Sequence, residues 1–184
     1  MMHSLTTLPV AVLLALGAGF FAVLGAWLNR GGVLRAVDRK AKADAAAARL
    51  DRQREASTNF AALAHTYVRE AASALRSAEA RLTPEAVAQF RQRHPDFGDP
   101  RMYVSSDAMS TARKELAEAL VRLKASGPDA VLNAAVDAEA SIQKFHRLAS
   151  EPIAAEDADP LHQQLKEAEV AADSVSAALR RCCA

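Results

Sequence analysis

The chain has 184 residues, 43 of them alanine, with 24% charged residues, 5% aromatic residues and a formal net charge of +1. That balance excludes a collagen-like chain, Gly/Pro-driven disorder and a single-sign polyelectrolyte. The few aromatic and scattered β-branched residues argue against a sheet protein, so the expected fold class is all-α.

After a short tail, residues 1–7, the stretch LPVAVLLALGAGFFAVLGAWL from Leu8 to Leu28 holds 21 residues without a charge. At about 1.5 Å per residue such a helix is roughly 31 Å long, which matches the ~30 Å hydrocarbon core of a bilayer. Within lipid, a helix satisfies its own backbone polar groups, so a single transmembrane helix is expected here. Pro9 stands near the start, where its missing N–H costs little, and Trp27 stands beside Asn29 and Arg30 as an interfacial anchor. Two alternatives stay open: a buried helix of a soluble protein, and a cleaved signal peptide. Against cleavage, residues 1–8 carry no Lys or Arg and the apolar run exceeds the usual h-region length.

Residues 29–56 read as a basic juxtamembrane helical arm. Arg30, Arg35, Arg39, Lys40, Lys42, Arg49, Arg52 and Arg54 face only three acids, Asp38, Asp44 and Asp51, over residues 30–54. The positive-inside bias then places the N-terminus outside and the following domain in the cytoplasm of a single-pass inner-membrane protein. Arg30, Arg35, Arg39, Lys40 and Lys42 are the expected topology determinants and lipid-headgroup contacts, so the lipid bilayer is the first expected partner. Lines of small residues in the span, Ala11/Ala15/Gly19 and Ala18/Ala22/Ala26, fit close helix approach and make a homodimer a further expectation. Gly31-Gly32 is the natural hinge between span and arm.

Ser57-Thr58-Asn59 either caps a new helix or marks a soft point in a longer one. From there, residues 57–181 read as an antiparallel four-helix-bundle-like domain, with segments near 58–82, 105–126, 128–149 and 160–181. Phe60, Leu63, Ala64, Tyr67, Ala71, Ala74, Leu75, Ala78 and Leu82 line one face. Thr83-Pro84 stops it and caps a short restart that ends at His94-Pro95. The loop HPDFGDPRMYV (94–104) is too rich in Pro and Gly for regular helix, and its apolar residues suit a bundle cap. Phe90, Phe97, Met102 and Tyr103 are therefore the candidate protein-contact or bundle-capping residues. In the next segment, Met109, Ala112, Leu116, Ala119, Leu120 and Leu123 fall on one face, and Gly127 suits the left-handed position after a helix. Val131, Ala135, Ala138, Ile142, Phe145 and Ala149 follow at alternating spacings of four and three. Leu161, Leu165, Ala168, Ala172, Val175 and Leu179 repeat that rhythm, which is helical and not period two. A long open coiled coil would use the same spacing, but the Pro and Gly stops interrupt it.

The chemistry-bearing residues do not assemble into a known motif. The five histidines form no HExxH, no Cys/His set has zinc spacing, and no Glu is followed three residues later by His. No cofactor, metal or catalysis is expected. Lys114 and Glu118 stand at ion-pair spacing, while Glu115, Glu167 and Glu169 read as solvated surface. Cys182 and Cys183, in the tail 182–184, are candidate thiols that a reducing compartment would keep free. The basic arm lacks interleaved aromatic residues, so no nucleic-acid partner is expected. The functional expectation is a membrane-tethered helical scaffold or adaptor with an unknown protein partner, in a chain whose Ala-heavy, Arg-over-Lys composition is of a bacterial kind. The alternatives are an extracytoplasmic helical sensor or ligand-binding module, and an enzyme without a recognisable motif.

Overall fold

A computed structural model describes residues 7–96, 100–154 and 158–183, with side chains from residue 33 onward except those of Met102, Ala154 and Cys183. The chain divides into two compact units, Met1–Ala48 and Arg49–Ala184. Its elements in order are helix α1 (Thr7–Arg81), helix α2 (Pro84–Arg93), strand β1 (Arg101–Met102), helix α3 (Asp107–Ser126), helix α4 (Asp129–Ala149), strand β2 (Ile153–Ala154) and helix α5 (Asp159–Cys183). The protein is all-α, and its second unit is a helical bundle.

In the first unit the backbone of α1 is helical from Thr7, without a break at the expected Gly31-Gly32 hinge. A glycine in a helix costs only about 1 kcal/mol, and the Ala-, Lys- and Arg-rich sequence that follows has high helix propensity. Val33, Leu34 and Val37 are more than half exposed, and Lys42 Nζ meets Asp38 Oδ2 at 3.1 Å one turn away. Among the described residues no helix is long and apolar enough to cross a membrane. The side chains of residues 8–28, on which the expected span rests, lie outside them.

The second unit is built around one core. Ser57 does not cap a new helix as one reading of the sequence held. It is fully buried, and its hydroxyl donates to the Gln53 carbonyl at 2.7 Å, a bond within the turn that leaves the helix unbroken. Of the nine residues expected on this face, Phe60, Ala64, Tyr67, Ala71, Leu75 and Ala78 are buried in the core, while Leu63, Ala74 and Leu82 are half-buried against it. After Arg81 the chain restarts at Thr83, whose hydroxyl accepts from Ala86 N–H at 3.3 Å, with Pro84 at the first helical position.

Every core residue expected on α3 and α4 is buried. Ser106 caps α3 by accepting from Met109 N–H at 3.2 Å. The Ser105 N–H donates to the Ala149 carbonyl at 3.0 Å, so the start of α3 satisfies an orphan acceptor at the end of α4. The turn between α3 and α4 corrects the sequence reading. Gly127 is extended (φ −77°, ψ 158°), not left-handed, because Pro128 disfavours helical backbone in the residue before it. Glycine is required there for room: an added Cβ would lie 2.7 Å from the Leu123 carbonyl oxygen.

On α5 the buried line is Leu161, Gln164, Ala168, Ala172, Val175 and Ala178. Gln164 and Ala178 occupy positions that the sequence reading gave to Leu165 and Leu179, which are half-buried at the flank. The two connections expected as loops carry a two-residue antiparallel ladder, Arg101 opposite Ala154 and Met102 opposite Ile153. Two bonded positions on each side satisfy loop backbone groups without needing a sheet core. Val104, next to β1, is 2% exposed and anchors the chain before α3.

Candidate functional site

A tyrosine on a core stripe brings a hydroxyl that needs a partner. Tyr67 is fully buried on α1, and its hydroxyl lies 3.2 Å from His146 Nδ1 on α4, with the two rings tilted by 55° at 6.2 Å. Burial raises the Tyr67 pKa well above the usual phenol value, against a smaller opposing effect of the Arg113 guanidinium on α3. Burial, helped by the same guanidinium, lowers the His146 pKa. Both effects keep the pair neutral near pH 7. The phenol hydroxyl and Nδ1 share one hydrogen bond, whose direction follows the imidazole tautomer. Three helices thus converge on one polar point: α1 supplies the hydroxyl, α4 the imidazole, and α3 a half-buried cation.

This point opens into a cleft of about 740 Å³ lined by Arg113, Gln143, Lys144, His146, Arg147 and Glu151 among others. Gln143, Arg147 and Ser150 share a face of α4 at spacings of four and three, and Ala140 contributes no bulk. The Ser150 hydroxyl donates to the His146 carbonyl at 2.8 Å, while the Ser150 and Glu151 N–H groups cover the final carbonyls of α4.

A second polar set lies along α1 and α5. His65 Nε2 is 3.0 Å from Ser176 Oγ and 3.9 Å from Asp173 Oδ1, and His162 Nε2 is 2.5 Å from Glu79 Oε1. The pairs 65–176 and 79–162 show that α1 and α5 run antiparallel. Between α4 and α5, Lys144 Nζ lies 3.7 Å from Glu167 Oε2, and Gln163 and Gln164 both donate to the same carboxylate. Those amide hydrogen bonds, Gln164 first and then Gln163, hold the Glu167 pKa below the usual carboxylate value, and Lys144 lowers it further. The Gln164 Oε1 atom is buried without a partner.

The structure does not gather the sequence candidates into one site. Phe90 is half-buried and meets His94 at the end of its own helix, with ring centroids 4.9 Å apart and the planes tilted by 41°. Tyr103 is 66% exposed and borders a cleft of about 270 Å³ shared with Glu70, Ser77 and Arg81 of α1. It does not cap the core; Val104 does. Phe97 and the Met102 side chain lie outside the described residues. Arg35, Arg39, Lys40 and Lys42 are exposed, and Arg30 lies outside the described side chains. Among the described residues Lys114 and Glu118 form no ion pair; in the second unit, ties between helices join His65 to Asp173, Lys144 to Glu167 and His162 to Glu79. Cys182 is an exposed free thiol beside Leu50, Ser57 and Leu179, and the Cys183 side chain lies outside the described ones. No group of three or more His, Cys, Asp or Glu among the described residues could hold a metal ion.

Sequence reasoning placed Tyr67 on the core face, found no motif among the histidines, and did not single out Arg113. The available signal was the phenol itself: a tyrosine on an otherwise hydrocarbon stripe calls for a polar residue at the edge of a facing helix. No protein-family model, curated protein or solved structure matches the chain.

Proposed function

We propose that the protein is a membrane-tethered scaffold or adaptor: one transmembrane helix, a basic arm and an antiparallel four-helix bundle that presents surfaces to a protein partner. The observation that carries this reading is the order of residues along α1. An uncharged run of 21 residues is followed directly by Arg30, Arg35, Arg39, Lys40 and Lys42. At helical spacing Arg35, Arg39 and Lys42 share one face, while the exposed Val33, Leu34 and Val37 lie on another, an arrangement suited to the headgroup boundary. On this reading the N-terminus is outside and the bundle is cytoplasmic. Tethering raises the local concentration of the bundle at the membrane, so that modest contact surfaces suffice. Exposed Tyr103 is the contact residue to examine first.

The test combines carbonate extraction with reporter fusions at Ala184. The full-length chain is expected in the carbonate-resistant membrane pellet, with a C-terminal fluorescent protein folded and a C-terminal alkaline phosphatase inactive. A mature chain beginning near residue 26, or full-length protein in the soluble fraction without detergent, overturns the tether. Active phosphatase at the C-terminus supports the extracytoplasmic sensor instead. A photo-crosslinker at Tyr103 is expected to give a discrete adduct that the same probe at Arg122 does not.

A further inference from the structure

We propose that the cleft between α3 and α4 is a binding site for a phosphate group. Its lining supplies what such a group needs. Arg113 is half-buried on α3, Arg147 is exposed on α4, and neither makes an ion pair or side-chain hydrogen bond among the described residues. A half-buried guanidinium with no counter-charge keeps its donors in search of an acceptor. Lys144 adds a third cation at the rim, shared with Glu167 at 3.7 Å. His146 adds an imidazole to the lining, held in place by the contact of its Nδ1 with the Tyr67 hydroxyl.

The cleft thus carries three cations against the single carboxylate of Glu151. The attraction comes from these side chains and not from a helix dipole, since the site lies at the C-terminal end of α4. Donors arriving from two helices, in two guanidinium forks and an ammonium group, suit a tetrahedral oxyanion with several acceptor oxygens better than a planar carboxylate. A volume of about 740 Å³ leaves room for an organic group behind the phosphate. The same chemistry is offered by a free phosphate ester or by a phospholipid headgroup with a terminal phosphate.

The experiment uses the full chain in an uncharged detergent, titrated with inorganic phosphate against sodium chloride at matched ionic strength and followed by thermal melting and calorimetry. Phosphate is expected to bind saturably and raise the melting temperature where chloride does not. Arg113→Gln and Arg147→Gln are each expected to weaken binding about tenfold or more, the loss that follows from one charge-assisted contact. Arg122→Gln, which removes the same charge from α3 outside the cleft, is expected to leave binding unchanged. Circular dichroism on each variant separates loss of binding from loss of fold. Vesicles of phosphatidylcholine containing phosphatidic acid then assign the source. Competition with inorganic phosphate that Arg113→Gln abolishes points to a lipid headgroup, and saturable phosphate binding without such competition points to a soluble ester. Non-saturable phosphate effects, or equal binding by the Arg113, Arg147 and Arg122 variants, overturn the proposal. None of these outcomes depends on whether residues 8–28 span a membrane.

Discussion

The two sides of α5 solve the same packing problem in opposite ways. With α4, the backbone of α5 runs in close approach over more residues than in any other described helix pair, and both helices bury alanines, Ala135, Ala138 and Ala149 on α4 and Ala168, Ala172 and Ala178 on α5. With α1, close backbone approach is sparse, and α1 brings larger side chains to the shared core, Phe60, Tyr67 and Leu75. The polar ties differ as well: α1 and α5 are bridged at two levels by His65 and His162, whereas α4 and α5 share the Lys144–Glu167 contact. Small residues give proximity and shallow interdigitation; large ones give area removed from water at about 25 cal/mol per Å². The α1 side should therefore respond most to truncation, and the α4 side most to enlargement.

Phe60→Ala truncates a fully buried residue of the α1 stripe and has the largest expected effect, a loss of about 3–5 kcal/mol in chemical denaturation. Ala172→Leu attacks the close seam and is expected to cost about 1–3 kcal/mol, because the added methylenes meet a packed neighbour. If Ala172→Leu is neutral while Phe60→Ala is severe, the close approach of α4 and α5 is not what limits that interface. Gln164→Leu acts in the other direction. Its buried Oε1 atom has no partner among the described residues, and the exposed Glu167 carboxylate that its Nε2 serves can turn to water instead, so replacement by an apolar side chain of similar size should stabilise the bundle by up to about 1 kcal/mol.

The smallest effect is a pH dependence. His146 titrates lower in the folded chain than the ordinary value of 6.5, so below that value the unfolded chain binds more protons. Its contribution to stability is complete above about pH 6.5 and is lost as pH falls toward its folded value. His146→Gln keeps an acceptor for the Tyr67 hydroxyl but cannot titrate. The stability difference between wild type and His146→Gln, measured by urea melts, should therefore shift against the wild type as the solution is acidified through that window. A difference that stays flat would mean that His146 is no more desolvated than an exposed histidine.

Which parts of this arrangement could be read from the sequence follows from the same physics. The faces of α3 and α4 were fully legible because large apolar residues such as Leu116, Leu123, Ile142 and Phe145 mark the stripe at unambiguous spacing. On α5 the reading slipped by one position at Gln164/Leu165 and at Ala178/Leu179. Leucine advertises burial and glutamine does not, yet a step of one residue is only about 100° of helix rotation, and the rest of the line fixes which side faces in. The continuity of α1 was hidden by Gly31-Gly32 and Ser57-Thr58-Asn59, which imitate ends. Each costs little locally, and a helix already propagating absorbs them. The Tyr67–His146 contact joins residues 79 apart in sequence, and no local pattern encodes such a meeting.

The short ladder between β1 and β2 has a mechanical consequence. It laces the long excursion between α1 and α3 to the connection between α4 and α5, and the Ser105–Ala149 bond adds a third stitch at the same end of the bundle. At the opposite end α3 and α4 are joined by the tight Gly127-Pro128 turn, and among the described residues no backbone ladder adds to it. Thermal opening should therefore begin at the Gly127 end and travel toward the laced one. Amide exchange would record this as a gradient, with the amides near Leu123 and Leu132 releasing their protons before those near Met109 and Phe145.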